Sequence, residues 1–150
     1  MHMINKIQKV AVAGALFNEE GSVLIVQRSQ KETYLPGYWE LPGGKVNFGE
    51  DPKEALIREF IEETGLSTKA VTPVRVFHYV TKEGTLQTVE IVFLLVLSKN
   101  SKKDIVLSGA HNSHVFIGSD DLDNYLGNNP EVRQNVVEAF RAYEELKRIS

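Results

Sequence analysis

Arg58, Glu59, Glu62 and Glu63 place one cation and three carboxylates within a few residues, with Glu50 a short distance upstream. Hard carboxylate oxygens at this density suit Mg²⁺, or Mn²⁺, and a bound divalent ion turns their mutual repulsion into ligation. Glu59 and Glu63 stand at i,i+4 and Glu59 and Glu62 at i,i+3. Like charges so spaced cost about 0.2–0.5 kcal/mol per pair in an isolated helix, which Arg58 offsets in part through Glu62. The plain alternative is a solvated acidic face.

These side chains need a helix to carry them. Asp51 is a good N-cap, Pro52 fits the first helical position, Glu54 completes a D-x-x-E capping box, and Gly65 is a natural stop. The signals predict a helix over Pro52–Thr64, introduced by a glycine-rich loop. At about 100° per residue, Leu56, Ile57, Phe60 and Ile61 form an apolar stripe, with Glu59, Glu62 and Glu63 within an arc of roughly 100° on the other side.

Residues 44–66 resemble the Nudix box, G-x5-E-x7-R-E-U-x-E-E-x-G-U with U a bulky apolar residue. Gly44, Glu50, Arg58, Glu59, Phe60, Glu62, Glu63, Gly65 and Leu66 match it. With each fixed residue type used at roughly 7%, seven chance matches have a probability on the order of 10⁻⁸. The resemblance implies an α+β fold, a Nudix-type α/β/α sandwich with a mixed β-sheet. It implies hydrolysis of a phosphoanhydride bond in a nucleoside diphosphate linked to another moiety. Glu59, Glu62 and Glu63 would hold Mg²⁺, joined by a backbone carbonyl of the Gly43-Gly44 pair, here assigned to Gly44. Arg58 and Glu50 would fix the carboxylate rotamers. Arg28 falls where the family places a phosphate- or substrate-contacting Arg, and Lys45 is a further candidate substrate contact. Residues 126–130 resemble a segment that carries a base-reading Asn, which makes Asn128 a candidate; the alternative is that Asn128 and Asn129 cap the last helix. In one departure, Ala110 stands where many members carry an acid just before a His. The general base is then a box glutamate, His111, Glu90 or Asp120.

Around the box, residues 9–17 and 22–28 are β-rich runs across the turn of residues 18–21 and read as a hairpin. Residues 29–38 are polar, with Pro36-Gly37, and read as loop. Trp39, in a W-E-L-P-G-G segment that also resembles the approach to the box, is read as a lid over the core, with base stacking as the alternative. Residues 71–81 and 85–97 form a second hairpin, whose latter strand is apolar on both faces and hence central. His78 and Tyr79 read as sheet residues. Residues 98–104 form a basic loop, residues 114–117 a short strand, and Asp120-Asp121-Leu122 a helical turn. Asn129-Pro130 caps a helix over residues 131–148, with Val132, Val136, Val137, Phe140, Tyr143 and Leu146 as its stripe.

A chain of 150 residues with 42% hydrophobic and 25% charged residues is read as a single globular domain, residues 1–7 being an N-terminal extension. Met3 reads as the natural start and Met1-His2 as a cloning remnant. The net charge of −3 offers no footprint for a nucleic-acid polymer, and no apolar run is long enough to span a membrane. The absence of cysteine removes disulfides and thiol catalysis and agrees with a cytoplasmic location. The expected partner is a small nucleotide, most simply a nucleoside triphosphate cleaved to monophosphate and pyrophosphate, handled by a monomer or homodimer. ADP-ribose or a nucleotide sugar is the alternative substrate, and a non-catalytic nucleotide-sensing module the alternative class.

Overall fold

The computed structural model describes residues 5–149, so the reading of Met1-His2 lies outside the described residues. In chain order the elements are β1 (Ile7–Leu16), β2 (Val23–Arg28), β3 (Trp39–Glu40), β4 (Gly43–Lys45), α1 (Pro52–Thr64), β5 (Thr68–Thr81), β6 (Leu86–Leu97), β7 (His111–Ile117), a 3₁₀ turn (Ser119–Asp121), α2 (Leu122–Leu126) and α3 (Pro130–Arg148). The strands form two sheets, ordered β4-β1-β6-β5 and β3-β2-β7. β1 and β6 run parallel while the other pairings are antiparallel, which makes the larger sheet mixed. The fold is the expected α+β sandwich.

Two cores cover the β layer. On one face α1 buries Leu56 and Phe60 against Val12, Leu16, Phe93 and Leu95. On the other, Leu122 and Leu126 of α2 and Val136 and Ala139 of α3 pack over Ala13, Ala15 and Val92. Successive residues of β2 serve both sides: Val23 and Ile25 join the second core and Leu24 the first, all fully buried.

The caps of α1 act as its sequence requires. Asp51 accepts from the Lys53 and Glu54 amides, and Gly65 closes the helix at φ 78°, a left-handed conformation open to glycine. The rotation of the helix differs from expectation. Ala55 and Thr64 are buried beside Leu56 and Phe60, while Ile61 is half exposed. The buried face is therefore the i,i+4 row 56-60-64 with its neighbour 55-59-63, and that second row carries Glu59 and Glu63 toward the sheet. Only Glu62 is left with a mostly exposed side chain, so the acids do not form a solvated face.

The first expected hairpin does not form. β1 and β2 meet only at the Phe17–Val23 bridge and belong to different sheets. β1 instead lies parallel to β6 over ten residue pairs, from Ile7↔Leu86 to Leu16↔Leu95. Turn chemistry is local, but a strand apolar on both sides takes the neighbours that cover it on both sides, and parallel partners are always remote in sequence. The second hairpin forms as expected, β5 against β6. β6 is central, but Val96 and Leu97 emerge from its end exposed. β3 and β4, where no strand is expected, are two and three residues long, too short to show periodicity. β7 begins earlier than expected and so includes His111. Among the described residues no helix is long and apolar enough to cross a membrane.

Burial predicts a sharp contrast along α1. Phe60→Ala should destabilise the protein by about 3–5 kcal/mol, and Ile61→Ala by less than about 1 kcal/mol. Urea unfolding midpoints check both; equal effects would mean that the helix is rotated differently.

Candidate active site

Arg58 organises the box. Its Nε and Nη2 donate to the two oxygens of Glu50 at 2.9 and 3.0 Å, a fork-to-fork pair. Nη1 donates to Glu59 at 3.0 Å and to Glu62 at 3.3 Å, and Nη2 also reaches the Lys45 carbonyl at 3.1 Å. The Arg58 hydrogen bond, helped by the Asn47 amide, holds the Glu50 carboxyl down to about 2, and Glu50 in turn raises Arg58. The loop, α1 and β4 are thus joined through one side chain.

Glu63 is placed otherwise. Its Oε2 accepts from the Gly43 amide at 2.9 Å, and among the described residues no cation is hydrogen-bonded to it. Burial pushes its carboxyl up to about 7; Glu40 and Glu59 add to the rise, and His111 and the Gly43 amide oppose it. The glycines make room for this packing. A Cβ on Gly44 would collide with the Glu59 carboxylate, and one on Gly43 with the Val12 carbonyl.

A cavity of about 370 Å³ opens beside these groups. Its floor follows from strand register. Lys45, Ala11, Glu90 and Phe77 form one row across β4-β1-β6-β5, and Gly43, Ala13, Val92 and Arg75 the next. The two alanines leave space above the sheet. Gly44, Lys45, Glu63, Glu40, His111 and Arg28 line the cavity together with Tyr79, Glu90 and Asn135. Burial raises Glu90 to about 7, with Glu40 adding to the effect, and pushes the Tyr79 phenol up to about 12. His111 Nε2 lies 2.9 Å from Glu40 Oε2, while its Nδ1 is buried without a partner. An imidazole in that setting anchors Glu40 through Nε2–H.

Of the residues singled out from sequence, the structure brings Arg28, Gly44, Lys45 and Glu63 to the cavity wall, with Glu59, Glu62, Arg58 and Glu50 linked behind them. Trp39 packs edge-on against Tyr125 at 5.3 Å on the second core and does not line the cavity, so it lies where a core lid would. Asn128 is exposed and does not line it either, nor does Asp120. Asn129 occupies the N-cap position of α3 without a side-chain cap bond. Sequence reasoning missed Glu40 and Asn135. Asn135 had a signal: it is a polar residue at the i+3 position from Val132, inside the apolar stripe of α3, and it is almost fully buried.

Among the described residues no three acids or histidines already converge as a metal cluster, since Glu59 and Glu62 are held by Arg58. The donor chemistry nevertheless fits a hard divalent cation: three carboxylates on one helix, and a Gly44 backbone that admits the Glu59 carboxylate where any side chain would exclude it.

A family model described as the NUDIX domain matches residues 7–140. A curated relative named 8-oxo-dGTP diphosphatase, from Proteus vulgaris, is 37% identical over 70 residues, 47% of this chain; the match spans 62% of that relative, less than two thirds of its length. A protein named nucleoside triphosphatase NudI, from Klebsiella pneumoniae (strain 342), is 28% identical over 118 residues, covering 73% of this chain and 82% of its own. The crystal structure of a MutT protein from Methanosarcina mazei Go1 has a TM-score of 0.73 at 24% identity, covering 97% of this chain and 99% of that one, a likeness of fold.

The buried carboxylates have a pH signature. Below its ordinary value of 4.5, Glu90 is protonated in both folded and unfolded states. As pH rises toward about 7 the unfolded chain loses the proton first, so stability falls across that window and stays reduced above it. The loss is on the order of 3 kcal/mol at 1.36 kcal/mol per pH unit. Glu90→Gln should therefore flatten part of the decline in melting temperature between pH 4.5 and 7, measured in EDTA. A decline as steep as that of wild type would mean Glu90 is not carrying it.

Proposed function

The chain belongs to the family defined by the NUDIX domain, and from that premise we propose that it is a Mg²⁺-dependent hydrolase of nucleotide phosphoanhydride bonds, cleaving a nucleoside triphosphate to monophosphate and pyrophosphate. The observation that carries this reading is the joint placement of the box acids. Arg58 gathers Glu50, Glu59 and Glu62 while Glu63 docks on the Gly43 amide at the wall of a nucleotide-sized cavity.

Glu59, Glu62 and Glu63, with the Gly44 backbone, would hold Mg²⁺, with Mn²⁺ as an alternative. Such an ion neutralises pyrophosphate charge and lowers the pKa of water toward neutrality. Arg28 and Lys45 at the cavity wall bind phosphate oxygens. Glu50 keeps Arg58 in place, and Arg58 keeps the carboxylates of Glu59 and Glu62 from swinging into solvent. A proton leaving the attacking water goes to a cavity carboxylate, Glu63 or Glu90. Asp120 lies outside the cavity, and the ring nitrogens of His111 are respectively bound to Glu40 and buried.

The substrate is a small free nucleotide. Residues of α3 and β3 contribute to the cavity lining, and a chain of net charge −3 offers no basic track to a polymer. The names of the Proteus and Klebsiella relatives support a triphosphate. The lack of cysteine suits action in the reducing cytoplasm.

Turnover of nucleoside triphosphates should vanish in excess EDTA and return with Mg²⁺. Glu59→Gln and Glu63→Gln should each lower kcat by several orders of magnitude, and Glu63→Gln should do so without lowering the melting temperature, since it removes a desolvated like charge. Near-normal turnover in either variant would take the box out of the mechanism. A panel of canonical and oxidised triphosphates, ADP-ribose and dinucleoside polyphosphates, scored by products, tests the substrate. ADP-ribose cleaved to AMP with triphosphates inert would overturn the triphosphate assignment, and nucleotide binding without any product would mark a sensing module.

A further inference from the structure

Arg28 does not stand free to receive phosphate. Its Nε donates to the Tyr34 carbonyl at 2.7 Å, and its Nη1 to both oxygens of Glu40 at 3.3 and 3.4 Å. Glu40 is itself fixed by His111 at 2.9 Å. Two of the three guanidinium nitrogens are thereby engaged, one by a backbone carbonyl and one by a carboxylate that His111 holds. Among the described residues the third, Nη2, meets the Glu32 carboxylate through one oxygen at 3.5 Å, whereas Nη1 meets both oxygens of Glu40. Glu32 lies between β2 and β3, and like Arg28 and Tyr34 it lines the cavity. About a third of its side chain is exposed.

A carboxylate and a phosphate present the same paired oxygens to a guanidinium edge. We propose that Glu32 is a displaceable stand-in for a substrate phosphate on the Nη2 edge of Arg28: it occupies that edge until a polyphosphate arrives and takes it again as pyrophosphate leaves. The inference rests on the reading of Arg28 as a phosphate contact. The anchored pair, Tyr34 carbonyl and Glu40, keeps the guanidinium in place throughout, so the exchange needs only Glu32 to move. A single phosphate competes poorly with a tethered carboxylate, whereas a polyphosphate with further contacts at Lys45 displaces it. Glu32 thus sharpens the preference for polyphosphates and hastens product release.

Neutralising an acid that lines the cavity should strengthen binding. The probe is inorganic pyrophosphate in saturating Mg²⁺, titrated calorimetrically into the whole protein. Glu32→Gln should tighten its Kd roughly two- to fivefold, the range spanned by exposed ion pairs, while Arg28→Ala weakens it. In the Arg28→Ala background, Glu32→Gln should have no effect, since a double-mutant cycle isolates the pair. Glu20→Gln, which neutralises an exposed acid on the β1–β2 turn, controls for net charge and should leave Kd unchanged. Unchanged or weaker binding by Glu32→Gln, with Arg28→Ala still impaired, overturns the proposal. Wild-type binding by Arg28→Ala, or no pyrophosphate binding by the wild-type protein, removes its premise and overturns it too. The cycle reads binding alone, so it is decided apart from whether any triphosphate is turned over.

Discussion

One guanidinium, that of Arg58, is shared by Glu50, Glu59 and Glu62, and the geometry of the site depends on it. Only a planar fork can do this. Two nitrogens grip both oxygens of Glu50, which leaves Nη1 directed at the helix acids, and a lysine in that place would offer a single point charge. The same side chain reaches the Lys45 carbonyl on β4, so the loop, the helix and the edge strand of the larger sheet are held by one group. Because Arg58 keeps the Glu50 carboxyl near 2, the clamp stays charged across any physiological pH.

Beyond the reach of Arg58 the cavity has no such balance. Glu63 and Glu90 are partly buried, among the described residues without a hydrogen-bonded cation, and both are pushed up to about 7 by desolvation. His111 leaves Nδ1 buried and unpartnered. Groups held in unfavourable protonation environments collect where a protein acts on a ligand, because a ligand or metal supplies the missing partner. The cavity borders both cores, sharing Ala13 and Leu41 with the second and Val12 with the first.

The cavity is also a product of missing side chains. Ala11 and Ala13 floor it, and Gly43 and Gly44 let β4 press against Val12 and Glu59. A chain with ordinary residues at these positions would fill the space with its own atoms. Small residues along β1 and β4 therefore serve the site as directly as the acids do, though none has a side chain that carries chemistry.

The sequence alone determined α1 to the residue, with its cap, its stop and the order of acids along it, because caps and helical periodicity act within four residues of one another. It also carried the β5–β6 hairpin, joined by a short local turn, and the stripe of α3. Tertiary structure decided what local signals cannot contain. β1 took β6, remote in sequence, over the adjacent β2, and so lies inside the larger sheet between β4 and β6, covered on both faces. The seating of α1 turned Ile61 outward and Glu63 inward, a rotation set by what the sheet offers to pack against. Glu40 and Asn135 reached the cavity only because β3 pairs with β2 and α3 crosses the second core. Side chains that meet across such distances are brought together by burial shared among elements, and no spacing along the chain encodes that.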